Sequence, residues 1–184
     1  MASHLLRLLL LFICAWSAIA AADEITICYN YSCATTANIK VSGKELIQIR
    51  PLFKQLRDAE SERDAISKAI GMLAYFSGTQ SPTYLDKGGN VNDDGVDGRM
   101  DCIDHSTNTT TYLNLLQDKG FLKFHHVLPR IKRAPLFFDE HWAAVIEDIE
   151  TKERFAVDSW FFDNGHPAVI FELDKWKSGA TPDA

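Results

Sequence analysis

Residues 141–160 read His-Trp-Ala-Ala-Val-Ile-Glu-Asp-Ile-Glu-Thr-Lys-Glu-Arg-Phe-Ala-Val-Asp-Ser-Trp. An apolar run, a polar turn and a second apolar run predict a β-hairpin with strands at His141–Ile146 and Arg154–Trp160. Two registers are open. If Asp148 to Thr151 connect the strands, Glu147 pairs with Lys152 and His141 lies opposite Asp158 on one sheet face. If Glu150 to Glu153 connect them, Asp158 faces Val145, about 13 Å along the strand from His141 at ~3.3 Å per residue. Further strands are predicted at Phe124–Val127, before Pro129, and at Pro167–Leu173.

Upstream the period changes. From Glu60 to Phe76 the apolar positions Ala65, Ile66, Ala69, Ile70, Leu73, Ala74 and Phe76 recur at steps of three and four, opened by Ser61 and closed by Ser77-Gly78, which predicts a core helix. Residues 43–57 predict a short helical segment on each side of Pro51. Residues 23–41 alternate weakly and read as a loop or short strand. A second helix runs from Asp101-Cys102-Ile103-Asp104-His105-Ser106-Thr107-Asn108 through Tyr112, Leu113, Leu115 and Leu116 to Lys119-Gly120. Asp101 is its cap and Gly120 its stop. Helices followed by antiparallel strands predict an α+β domain.

The chain has 184 residues, 46% apolar and 24% charged, which excludes a disordered or collagen-like chain and fits one domain. Arg7, the apolar run Leu8–Ile13 and the small residues Ala18-Ile19-Ala20-Ala21-Ala22 read as a secretory signal peptide over residues 1–22. Cys14 follows the bulky Ile13, which argues against lipid attachment. The single domain is then 23–184, with 18 Lys+Arg against 25 Asp+Glu. That balance, without a basic stripe, excludes nucleic acid as a partner. No second apolar run is long enough to span a membrane. The expected location is periplasmic or secreted.

Beyond the leader stand Cys28, Cys33 and Cys102. The Cys28–Cys33 spacing can close a small disulfide loop in an oxidising compartment, which leaves Cys102 over. A thiol in a helix's first turn sits where backbone amides and the macrodipole favour a thiolate, the setting of a cysteine nucleophile. His141 would take its proton and return it to a leaving group, and Asp158 would orient the imidazole, provided the first register or a bulge brings them together.

Residues 77–100 read as a long polar loop broken by glycines. Within Asn90–Asp101, oxygen side chains at Asn90, Asn92, Asp94 and Asp101 around Gly95 have calcium-loop spacing, although a solvated Asn/Asp/Gly-rich turn has the same composition. His105, His125 and His126 lack a zinc-like spacing. Trp142, Trp160, Phe161 and Phe162 are candidates for a peptide cleft or for the core. Asn30 and Asn108 begin glycosylation sequons.

Three motifs, Asp101-Cys102-Ile103-Asp104, His141-Trp142-Ala143-Ala144-Val145 and Phe155-Ala156-Val157-Asp158, make residues 60–175 resemble the bacterial transglutaminase-like cysteine peptidases of the papain-like superfamily. The resemblance implies N-terminal helices and a catalytic helix packed on an antiparallel sheet. It also implies a Cys102–His141–Asp158 triad acting on amide bonds of a protein or peptide through a thioester. In some members a calcium site lies beside the Cys; Asp101 and Asp104 match that region, while Ile103 stands where the family often has an acidic residue. The Cys102 amide is the expected oxyanion donor. The competing expectation is a non-catalytic exported binding or structural module of the same fold, calcium-stabilised, with Cys102 inert.

Overall fold

The hairpin expected at 141–160 forms, in a register midway between the two considered. A computed structural model describes residues 22–134 and 140–182; the expected signal peptide falls, apart from Ala22, outside the described residues. Strand β4 (His141–Asp148) pairs with β5 (Arg154–Asp158) so that Glu147 faces Arg154 and Ala144 faces Val157. The connection is Ile149 to Lys152, closed by Asp148 N–H donating to Glu153 O (2.8 Å). The Asp148 carboxylate accepts the Glu150 and Thr151 amides, and Lys152 takes the left-handed conformation that completes the turn. Continuing this register sets Asp158 opposite Ala143, diagonal to His141 on the same face. Diagonal neighbours lie ~7–8 Å apart at the backbone, within reach of an imidazole and a carboxylate. Contact between His141 and Asp158 therefore needs neither the first register nor a bulge.

The antiparallel sheet has the order β3-β4-β5-β6, with β3 at His125–Arg133 and β6 at Val169–Glu172. Strand β3 is longer than expected because a register shift between Leu128 and Ile131 absorbs Pro129 on this edge strand, after which pairing resumes. Strand β5 stops at Asp158, two residues early.

A second, two-stranded sheet of β1 (Asp23–Tyr29) and β2 (Thr35–Val41) occupies the segment read as a loop or short strand. Its turn carries no glycine. Asn30, Tyr31, Ser32 and Cys33 all have φ between 53° and 66°, a left-handed run that no simple turn signature announces.

Helix α1 (Gly43–Ile49) is opened by a capping box between Ser42 and Glu45, and Pro51 then starts a 3-10 turn, Arg50–Phe53. Helix α2 (Ala59–Gly78) begins earlier than expected because Asp58 is its cap, with Ser61 at the third position. Helix α3 (Cys102–Asp118) is capped by Asp101 and ends at Gly120 (φ 69°), where Phe121 N–H reaches back to Leu116 O. The short α4 (Leu173–Lys177) follows β6 directly.

Among the described residues these elements form a mixed α+β fold with antiparallel sheets and four α-helices. The main core joins Ile66, Ile70 and Leu73 of α2 and Leu113 and Leu116 of α3 to Ala144, Ile146 and Val157 of the sheet and Ile27 and Ile39 of the hairpin. The far sheet face is covered by α4, where Ala143 and Ala156 pack on Leu173 and Trp176. Close approach at Gly71 seats α2 against the 165–168 segment: a Cβ there would meet His166 O at 2.8 Å. Among the described residues no helix is long and apolar enough to cross a membrane.

Candidate active site

Cys102 is the first residue of α3, partly exposed, with its thiol directed at Glu140 O (3.9 Å). His141 opens β4 and Asp158 closes β5, and both are buried. His141 Nε2 stands 2.7 Å from Asp158 Oδ2, and the ring faces the same pocket as Cys102, close enough for the thiol to act on it. With Nε2 given to the carboxylate, Nδ1 is the ring nitrogen left for a second partner. Burial alone would lower the imidazole pKa, but the hydrogen bonds to Asp158 and Cys102 outweigh it and raise His141 to about 9. At neutral pH the ring is therefore an imidazolium held between two acidic partners.

Asp158 has every oxygen engaged. Oδ2 also accepts the Trp176 indole N–H (2.9 Å), and Oδ1 accepts the Trp160 amide (3.2 Å). Rings of Trp160, Phe161 and Trp176 lie 4.9, 5.9 and 5.9 Å from the imidazole centroid and keep water from the His–Asp bond. Trp160 and Phe161 thus serve the cleft, whereas Trp142 stacks under Arg130 on the other sheet face and Phe162 is exposed beside His166. A pocket of about 330 Å³ opens over Cys102 and His141, walled by Tyr31, Asn90, Trp160 and Phe161. Grooves of about 370 and 410 Å³ beside β5 and β6 contain no cysteine.

The start of α3 is held from outside by the left-handed turn of the hairpin. Asp101 Oδ1 caps the Ile103 and Asp104 amides (3.0 and 2.9 Å), while Oδ2 accepts Ser32 N–H (2.9 Å). Asp104 accepts N–H from Cys33 (2.6 Å), Tyr31 (2.8 Å) and Asp101 (3.3 Å). One helical turn on, Asn108 pairs with both the N–H and the C=O of Cys28 (2.8 and 2.7 Å). A disulfide joins Cys28 to Cys33. Each non-glycine residue in the left-handed region costs about 1–2 kcal/mol, so this four-residue run persists because the disulfide and the carboxylate bonds determine it together. Burial and the Asp101 charge push the Asp104 carboxyl up to about 6, against the pull of the amides it accepts.

The calcium donors expected from the sequence are spread over separate contacts. Asp101 and Asp104 are occupied by N–H donors, Asn90 gives its side-chain N–H to Asp93 (2.8 Å), and Asn92 and Asp94 are exposed. Asp93, which lies off the calcium-loop pattern, organises the segment: it also accepts the Tyr31 hydroxyl (2.5 Å) and forms an ion pair with Arg99, whose Nε lies 3.0 Å away without aligning as a hydrogen bond. Among the described residues, the His, Cys, Asp or Glu ligand atoms that gather in threes within 4.8 Å belong to Cys28, Cys33 and Asp104, two of them disulfide sulfurs.

His105, His125 and His126 have separate partners. His105 Nδ1 meets Ser159 Oγ (3.0 Å), which also meets Thr109 (2.9 Å), and Nε2 stands 3.0 Å from Asp86 Oδ2 without aligning as a hydrogen bond. Asp86 in turn accepts the Met100 amide (2.8 Å), so this buried chain ties the 86–100 segment to α3 and to the residue after Asp158. His125 is bound by Glu62, whose fully buried carboxylate also accepts the amides of Lys123, Phe124 and His125. His126 pairs with Glu147 (3.3 Å). Asn108, buried and bound to Cys28, is closed to glycosylation.

Sequence reasoning missed Trp176, the Asp86–His105–Ser159 chain and the role of Asn108. A readable signal existed for the last: Asp101, Asp104 and Asn108 recur at helical spacing as a polar stripe on an otherwise half-buried helix. Comparison of the chain with protein-family models, curated proteins and solved structures finds no match.

Proposed function

We propose that this chain is an exported thiol enzyme that cleaves or transfers amide bonds of a protein or peptide through a Cys102 thioester. The observation that carries the reading is His141 placed between Cys102 and Asp158, with its carboxylate bond at 2.7 Å inside a ring of aromatic side chains. In the proposed reaction the Cys102 sulfur attacks the amide carbonyl, and the oxyanion draws on the Cys102 amide at the start of α3. His141 Nδ1–H protonates the departing amine as the C–N bond breaks. The imidazole then takes a proton from water or an acceptor amine, whose attack breaks the C–S bond, releases the acyl group and returns the Cys102 thiolate beside the imidazolium. Asp158, fixed by Trp176 and Trp160, keeps Nδ1 aimed at the sulfur throughout.

The arrangement of a cysteine-bearing helix against neighbouring strands carrying His and Asp supports a papain-like or transglutaminase-like architecture. The apolar leader and the Cys28–Cys33 disulfide support a periplasmic or secreted location. The test uses p-nitrophenyl acetate as a generic acyl donor: the mature chain releases p-nitrophenol in a burst and shows an acetyl adduct at Cys102 after acid quench. Cys102→Ala and His141→Ala abolish both. An unmodified Cys102 with no burst overturns the reading in favour of a non-catalytic module.

A further inference from the structure

We propose that the Cys28–Cys33 disulfide is a reducible clamp on the N-terminus of α3, so that its oxidation state sets the reactivity of Cys102. The proposal rests on the reading of Cys102 as a nucleophile and concerns the control of that site. Three consecutive amides of the turn it closes, those of Tyr31, Ser32 and Cys33, end on the carboxylates of Asp101 and Asp104, which flank the thiol in sequence. Asn108 fastens the other end of the turn at Cys28. These amides offset two negative charges beside the position where a thiolate must develop.

The turn depends on its cross-link. Four non-glycine residues in the left-handed region have strong local reasons to leave it, and the disulfide spans all of them. Cys28 is buried, but Cys33 is partly exposed and Ser32 beside it is open to solvent, so an attacking thiolate can reach the Cys33 sulfur. The reductant is a dithiol. Its thiolate bonds to Cys33 Sγ as the S–S bond breaks and the electron pair leaves on Cys28 Sγ. Its second thiol then displaces Cys33, so two electrons and two protons reach the cysteines while the reductant becomes a disulfide. The freed turn relaxes to ordinary backbone angles and withdraws its amides. Asp104, with no exposed surface, cannot turn to water for replacement, so it gives up its charge and its hold on the Asp101 amide, and the helix start that places the Cys102 thiol is no longer fixed.

The experiment measures the iodoacetamide labelling rate of Cys102 in the mature chain at pH 7 by mass spectrometry. Cys28→Ser/Cys33→Ser is expected to slow labelling by at least about tenfold, the factor that one hydrogen bond to a charged group carries. Asp104→Asn separates the clamp from an independent role of the carboxylate: it slows labelling when the disulfide is intact, where its oxygens hold the Tyr31 and Cys33 amides, and has little further effect in the double-serine chain, where those amides have left. Labelling of the double-serine chain within about twofold of the oxidised protein, or the same effect of Asp104→Asn in both backgrounds, overturns the proposal. Loss of cooperative unfolding in the double-serine chain also overturns it, since the bond is then a scaffold. His141→Ala in the oxidised protein tests the nucleophile reading on its own: undiminished labelling there removes that reading whatever the disulfide does.

Discussion

The raised pKa of His141 makes stability depend on pH in a window that one substitution should empty. The folded value is about 9 against 6.5 for the free side chain. A histidine whose folded pKa lies above its unfolded one stabilises the fold fully below pH 6.5, and that stability is lost as pH rises through 9. At 1.36 kcal/mol per pH unit the full effect is about 3 kcal/mol. About 2 kcal/mol of it falls between pH 7 and 9.5, above the range in which Asp104 titrates. His141 is only 5% exposed, so solvent screening takes little from this figure. The perturbation is Asp158→Asn, which keeps the shape of the partner and removes its charge, leaving Cys102 as the remaining cause of the shift. Urea unfolding followed by tryptophan fluorescence at pH 7, 8, 9 and 9.5 should show the wild-type chain losing about 2 kcal/mol more than its other titrating groups explain. Asp158→Asn should lose less than half as much across the same window, the difference curve cancelling lysine and tyrosine contributions. Parallel curves for the two chains would refute the reasoning, because the His141–Asp158 bond would then contribute nothing to the shift.

Two further outcomes follow from the site. Trp176→Phe retains the buried ring but deletes the N–H that reaches Asp158 Oδ2, so it should destabilise the fold by about 1.5–3 kcal/mol and slow Cys102 labelling; a change in unfolding free energy below about 0.5 kcal/mol contradicts the assigned contact. Millimolar calcium should leave the melting temperature of the mature chain unchanged, because Asp101 and Asp104 are occupied by amides; a rise of several degrees that saturates with calcium and disappears in Asp104→Asn contradicts that assignment.

Much of this architecture was readable, and the parts that were not share a cause. The stripes of α2 and α3 are long and strongly periodic, so Ile66, Ile70, Leu73, Leu113 and Leu116 fell inside as expected. Asp101 as cap and Gly120 as stop depend on local backbone chemistry that a single residue announces. The register of β4 and β5 was harder, because both candidate turns are equally polar. The turn that forms lies between them and is set by the Asp148 carboxylate, which folds over the Glu150 and Thr151 amides. The β1–β2 hairpin was lost because its turn lacks glycine and takes its left-handed shape from a disulfide and from carboxylates some seventy residues away. The same long-range contacts were illegible at Asp101 and Asp104: their acidic motif reads as a calcium region, while in the fold both carboxylates accept backbone amides of the hairpin turn. Trp176 lies on a five-residue helix with no periodic signature, and only packing brings its indole to Asp158.

The most direct test of the account is the iodoacetamide labelling rate of Cys102 at pH 6, compared between the mature chain and His141→Ala. An ordinary thiol, with a pKa near 8.5, is almost wholly protonated at that pH and labels slowly. The account expects the wild-type chain to label at least about tenfold faster than His141→Ala, since the imidazolium fixed by Asp158 stabilises the sulfur anion. Equal, slow rates in the two chains would contradict it and leave Cys102 an unreactive thiol in a binding domain.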